Sequence, residues 1–150
     1  MNECHIQAIR FIVPCRPLGY RVARNHAWNE VQKDYRAWRD RCCEAANLAG
    51  IQTPLFSSAK APIDVSCIAY YDKGIHADPG NTHKGLIDAL FRGALGGDKF
   101  VSGSFAAPRY DKEHPRLEVF LRGWPVLRYP ELAMEITTCQ GNITYTATKR

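Results

Sequence analysis

His76 to Val101 reads HADPGNTHKGLIDALFRGALGGDKFV and places an acidic turn, a helix and a second, glycine-flanked aspartate in one short unit. Asn81 is a suitable N-cap, Thr82 to Arg92 follow as a helix, and Gly93 is the expected stop. Leu86, Ile87, Leu90 and Phe91 give this helix an apolar face. Lys84 and Asp88 lie one turn apart on another face, close enough to pair. Asp78 falls just before the helix, where unpaired N–H groups and the helix dipole favour negative charge.

Upstream, Ile63 to Tyr71 alternates Ile63, Val65, Cys67, Ala69 and Tyr71 against Asp64, Ser66, Ile68 and Tyr70, which predicts a strand closed by Asp72-Lys73-Gly74. Ile51 to Pro62 has no period and reads as a loop. From Glu30 to Ala49, Val31, Tyr35, Trp38, Cys42, Ala45, Ala46 and Ala49 recur at helical spacing, with Gly50 as the stop. Ile6 to Val13 predicts the first strand, ended by Pro14, Pro17 and Gly19. The basic and aromatic residues that follow, Tyr20 to Trp28, suit contact with phosphate.

Downstream, Val101 to Ala107 and Leu117 to Arg122 predict two strands joined by Pro108 to Pro115 and paired antiparallel. Gly123 to Arg150 has three open readings: packing on the core, an extra strand over Ile143 to Ala147, or partial disorder. The expected fold is α+β, a single compact domain with a mixed sheet of about four strands packed against two helices.

The chain has 150 residues, 45% of them apolar, which suits one domain with a substantial core. Twenty Lys plus Arg against fifteen Asp plus Glu give a net charge of +5, which favours an anionic partner without identifying it. No apolar run reaches the roughly eighteen residues of a membrane span, and Glu3, His5 and Arg10 interrupt the N-terminus. A soluble cytoplasmic protein with no membrane partner is expected. None of the six cysteines is spaced C-x-x-C, so they read as small buried hydrophobes rather than a zinc site.

Asp78, Asn81, Lys84, Asp88, Ala89, Leu90, Asp98 and Val101 fall in the order D-P-G-N-x-x-K-x-x-x-D-A-L, then D-x-x-V. Here the chain resembles the RusA family of Holliday junction resolvases, whose signature is D-x-D-N, x-x-K-x-x-x-D-A-L and D-D-x-x-V. The resemblance covers about Phe11 to Arg122. It implies a RusA-like nuclease domain over residues 1–122, leaving 123–150 as an extension of unknown role, and a bacterial, phage or prophage context.

The resemblance further implies a homodimer that binds branched DNA, four-way junctions above all, and hydrolyses phosphodiesters with Mg²⁺, or with Mn²⁺ in its place. Such chemistry needs hard oxygen ligands for the metal and a cation to offset charge on the phosphate. The matching catalytic residues are Asp78, Lys84, Asp88 and Asp98. Asp78 and Asp98 are the implied metal ligands, and Asp88 either joins them or orients Lys84. DNA contacts are expected from Arg16, Tyr20, Arg21, Arg24, Lys84 and Lys99.

Two departures bear on the activity. Gly80 stands where the signature has its second acid, and Gly97-Asp98-Lys99 stands where it has adjacent acids. Aligning back from Val101 makes Asp98 the catalytic one of that pair, because a glycine-rich turn loses a residue more easily than a strand start shifts register. Asp72, His76 or His83 could compensate for Gly80. The expectation is a junction-resolving endonuclease, with a junction-binding protein of weakened or lost nuclease activity as the alternative.

Overall fold

Residues 4–20, 30–92, 96–123, 134–139 and 142–147 are described in a computed structural model of the chain. Their elements in order are β1 (Cys4–Val13), α1 (Glu30–Leu48), β2 (Ile63–Tyr71), α2 (Pro79–Leu90), β3 (Val101–Ser102), β4 (Arg109–Tyr110), β5 (Arg116–Gly123), β6 (Met134–Cys139) and β7 (Asn142–Ala147). The alternation in β2 carries through to burial: Ile63, Val65, Cys67, Ala69 and Tyr71 are all buried, and the residues between them are half-buried. Ile9, Phe11 and Val13 of β1 and Leu117, Val119 and Leu121 of β5 extend the same apolar face. Tyr35, Trp38, Cys42, Ala45 and Ala46 of α1 and Leu86, Ala89 and Leu90 of α2 close over it in one core. Both helices therefore cover the same side of the sheet, as an α+β layer structure requires.

The sheet is mixed and follows the order β3-β2-β5-β1-β6-β7, with β4 also paired to β2. β5 runs antiparallel to β2 on one side (Cys67↔Val119) and to β1 on the other (Phe11↔Val119). On the other edge of β2, β3 and β4 pair parallel at its two ends, Ile63↔Val101 and Tyr70↔Arg109, with a bridge Cys67↔Phe105 between them. Residues 101–110 thus follow β2 along its length, and α2 is the crossover that parallel pairing demands. β6 pairs with the first half of β1, and β7 with β6, both antiparallel.

The expected hairpin between the 101–107 and 117–122 segments is not formed. Leu117 to Leu121 are all buried, which suits a strand with neighbours on both sides, and β5 lies between β2 and β1 accordingly. The largely exposed 102–105 segment takes the edge. The strand count rises from about four to seven because the edge segment divides in two and the C-terminal region supplies β6 and β7.

The start of α2 also differs from expectation. Asp78, not Asn81, is the N-cap: its carboxylate accepts from the Gly80 N–H at 3.4 Å and its carbonyl from the Thr82 N–H at 3.1 Å. Pro79 decides this, since its fixed φ and missing N–H suit the first helical position. Gly93, the expected stop, lies outside the described residues. At the end of α1, Gly50 takes φ +85° and the Ile51 N–H returns to the Ala46 carbonyl, closing the helix as the sequence suggests. Among the described residues no helix is long and apolar enough to cross a membrane. Cys42 and Cys67 are buried thiols in the core, and burial pushes the Cys67 pKa up to about 12.

Candidate functional site

Where β2 ends, the chain turns back through Asp72 to Ala77 into α2, and side chains from four segments meet. Tyr71 is buried and its hydroxyl lies 2.9 Å from Thr82 Oγ1, joining the strand end to the helix start. Burial pushes the Tyr71 phenol above its ordinary pKa, against the Thr82 hydrogen bond. His76 stacks on Tyr71 with centroids 3.8 Å apart and planes 6° from parallel. Its Nδ1 lies 2.7 Å from the Ala77 carbonyl and its Nε2 lies 2.9 Å from the Tyr110 hydroxyl. A carbonyl only accepts, so in the neutral ring Nδ1 carries the proton and the Tyr110 O–H donates to Nε2.

The segment from Pro14 to Tyr20 lies against the first turns of α2. The Tyr20 N–H donates to the Asn81 carbonyl at 3.0 Å. Gly19 permits the approach, since a Cβ there would stand 2.7 Å from the Ala77 Cβ. Gly85 does the same on the helix, where a Cβ would stand 3.1 Å from the Trp38 ring and 3.2 Å from the Tyr20 nitrogen. This contact sets Lys84 Nζ 4.3 Å from the centre of the Tyr20 ring. Arg16 pairs with Asp72 at 2.8 Å and also donates to the Ile75 carbonyl. Desolvation alone would raise the Asp72 pKa, but the hydrogen bond from Arg16 more than reverses it and holds the carboxyl below its ordinary range.

Of the residues expected to contact DNA, Tyr20 and Lys84 are thus brought together, and Arg16, four residues before Tyr20, is paired with Asp72. Arg21 and Arg24 lie outside the described residues. Lys99 is at the other end, its aliphatic chain beside Gly96.

The implied catalytic aspartates are not gathered in the same way. Asp88 does not pair with Lys84; its carboxylate accepts from the Tyr35 hydroxyl at 2.9 Å and from Arg39 at 2.8 Å, clasping α2 to α1. Two donors from a facing helix win over the one cation a turn away, which Tyr20 already engages. Asp98 is exposed in the turn before β3, where the neighbouring Gly97 carbonyl accepts the Ser57 N–H at 2.7 Å. Because Val101 pairs with Ile63 while Asp78 follows Tyr71, the two aspartates sit at opposite ends of the nine-residue β2. At roughly 3.3 Å per residue that strand spans about 26 Å. The first turn of α2 reaches back along that strand, with His83 on the Val65 carbonyl and Gly80 against Phe105, which stands opposite Cys67, and among the described residues no contact joins Asp78 to Asp98.

The remaining candidates do not complete a metal centre. Asp72 is taken by Arg16, and His76 by Tyr71 and Tyr110. His83 directs Nε2 to the Val65 carbonyl at 2.7 Å, so that nitrogen carries a proton and is no ligand. Gly80 faces Phe105, whose ring would lie 3.3 Å from an added Cβ. Among the described residues no three His, Cys, Asp or Glu side chains are grouped to hold a metal ion.

Sequence reasoning missed Phe105 and Tyr110. Phe105 read as an ordinary strand residue and Tyr110 as part of a connecting loop, yet both rings border the turn that holds Asp78. The available signal was a phenylalanine flanked by small residues, Ser102 to Ala107, in a segment too polar to be interior.

No protein-family model matches the chain, and no curated protein matches it.

Proposed function

We propose that this chain binds branched DNA, four-way junctions above all, through Pro14–Tyr20 and the first turns of α2, and that a single copy does not hydrolyse it. The observation that carries the proposal is exposed Lys84 set over the Tyr20 ring, on the segment that also bears Arg16, in a chain of net charge +5. Cations presented beside an aromatic ring suit the phosphate backbone, where charge neutralisation supplies most of the affinity. The resemblance of His76 to Val101 to the RusA signature supports a branched target. The glycine at position 80 and the separation of Asp78 from Asp98 support binding without cleavage.

The test is junction binding against linear duplex at graded salt. Affinity should fall steeply with ionic strength, and Lys84→Gln should reduce the slope of log K against log salt by about one. A response flat in salt, or equal affinity for junction and duplex, would refute the proposal.

One observation favours a second reading, a Mg²⁺-dependent junction endonuclease acting as a homodimer. Asp78 and Asp98 lie at opposite ends of the same edge of β2, and no described strand pairs with the outer side of residues 101–110. Two copies joined edge to edge by a two-fold axis perpendicular to β2 run antiparallel, which brings Asp98 of one toward the Asp78 end of the other. Mg²⁺-dependent cleavage abolished by Asp98→Asn, with folding and junction binding intact, would establish this second reading.

A further inference from the structure

Two aromatic rings on the outer edge of the sheet are exposed and yet held in place. Phe105 is 49% exposed and Tyr110 is 58% exposed. Phe105 lies over Gly80 and 5.6 Å from the His83 ring, which is itself fixed to the Val65 carbonyl. Gly103 allows the edge to lie this close, since a Cβ there would overlap the Val65 carbonyl oxygen. Tyr110 is anchored through its hydroxyl to His76, which is stacked on buried Tyr71.

Phe105 stands opposite Cys67 and Tyr110 opposite Tyr71, so the rings are four residues apart along β2, about 13 Å at 3.3 Å per residue. The turn bearing Asp78 lies beside them. Arg109 sits next to Tyr110, with its guanidinium 3.1 Å from the Tyr70 hydroxyl. Of the nearby acids, Asp72 and Asp111 are each paired with an arginine, Arg16 and Arg116. Aromatic faces held in place with the Arg109 guanidinium beside them suit a flat, uncharged ring system carried on an anionic backbone. That is the chemistry of an unstacked nucleobase, which binds aromatic platforms whatever its identity.

We propose that Phe105 and Tyr110 form a platform on which unpaired bases stack at the branch point of a DNA junction. The proposal rests on the DNA-binding reading above. It assigns the branch preference to this edge and leaves general phosphate attraction to Arg16 and Lys84.

The experiment uses the full chain with a four-way junction carrying 5-iododeoxyuridine at the branch, and a linear duplex of the same sequence. Irradiation should cross-link the branch base to Phe105 or Tyr110. Phe105→Ala and Tyr110→Ala should each weaken junction binding by about tenfold while leaving duplex binding within about twofold. Both side chains are exposed, and thermal unfolding confirms that the variants fold. Cross-links confined to other residues, or variants that bind the junction like the parent, would overturn the platform and leave the DNA-binding reading standing. Variants that turn a dimer into a monomer in sedimentation, and lose junction and duplex binding together, would also overturn it, by showing that a second copy covers the edge. Absence of any DNA binding at low salt removes both proposals.

Discussion

Replacing Asp88 with alanine should weaken the fold and leave DNA binding nearly intact, the opposite of what a catalytic aspartate would show. The carboxylate accepts two hydrogen bonds from α1, one from the buried Tyr35 hydroxyl and one from Arg39, whose side chain is only 17% exposed. A hydrogen bond to a charged group is worth about 1.5–3 kcal/mol when buried. The Asp88 side chain is 35% exposed, so screening discounts that figure. A net loss of about 2 kcal/mol is expected, which for a domain of this size lowers the thermal midpoint by about 4–8 °C. Asp88→Asn, which keeps an acceptor for Tyr35 and removes the charge, should cost about half as much. Thermal unfolding followed by circular dichroism at neutral pH measures both, with junction affinity measured alongside at 20 °C or below. The Arg39→Gln and Asp88→Ala costs should be non-additive in a double-mutant cycle. An unchanged midpoint combined with lost junction binding would refute the clasp and return Asp88 to the functional site.

Tyr35 makes the same clasp pH-dependent, because burial first, and then the hydrogen bond to Asp88, push its phenol pKa above the ordinary value. The unfolded chain releases that proton first, so stability should fall as pH rises above about 10, and Tyr35→Phe should flatten the fall in urea titrations. Asp64 gives the opposite sign: desolvation raises its pKa, but hydrogen bonds from Arg122, Ser66 and Ser102 outweigh it and depress the group. Its contribution is present above the unfolded carboxyl pKa of about 3.9 and lost as pH falls below it, so Asp64→Asn should shrink the acid-induced loss of stability. Gly80→Asp should fold, since an added Cβ would stand 3.3 Å from the tip of the Phe105 ring, a contact relieved by a few tenths of an ångström without moving the ring from its place. It should confer no cleavage in Mg²⁺, because Asp98 remains at the other end of β2; cleavage by this variant would show that a second carboxylate beside Asp78 suffices.

Periodicity made β2 and both helices legible, because each presents one face to a single core. The interior place of β5 was not legible, since Leu117 to Leu121 is buried throughout and such a run does not say which strands flank it. Nor did the spacing of 101–110 show parallel pairing, which depends on α2 carrying the chain back to the start of β2. That return also separates Asp78 from Asp98: nineteen intervening residues look close along the chain, but a crossover ends at the opposite end of the strand it leaves. The i,i+4 spacing of Lys84 and Asp88 was read correctly as geometry, yet Tyr20 on one side and Tyr35 with Arg39 on the other claim the two groups. Local spacing proposes partners, and tertiary contacts choose among them. Composition singled out Tyr20 to Trp28 and the resemblance added Arg16 and Lys84, while Gly19 and Gly85 supply the close approach that sets Lys84 on Tyr20.

The most direct test of the account is to incubate the purified chain with a four-way junction and a linear duplex across Mg²⁺ and Mn²⁺ titrations, reading binding and strand cleavage together. The account predicts preferential retention of the junction, with its strands intact at every metal concentration. Paired cuts across the junction, dependent on metal and lost in Asp98→Asn, would contradict it.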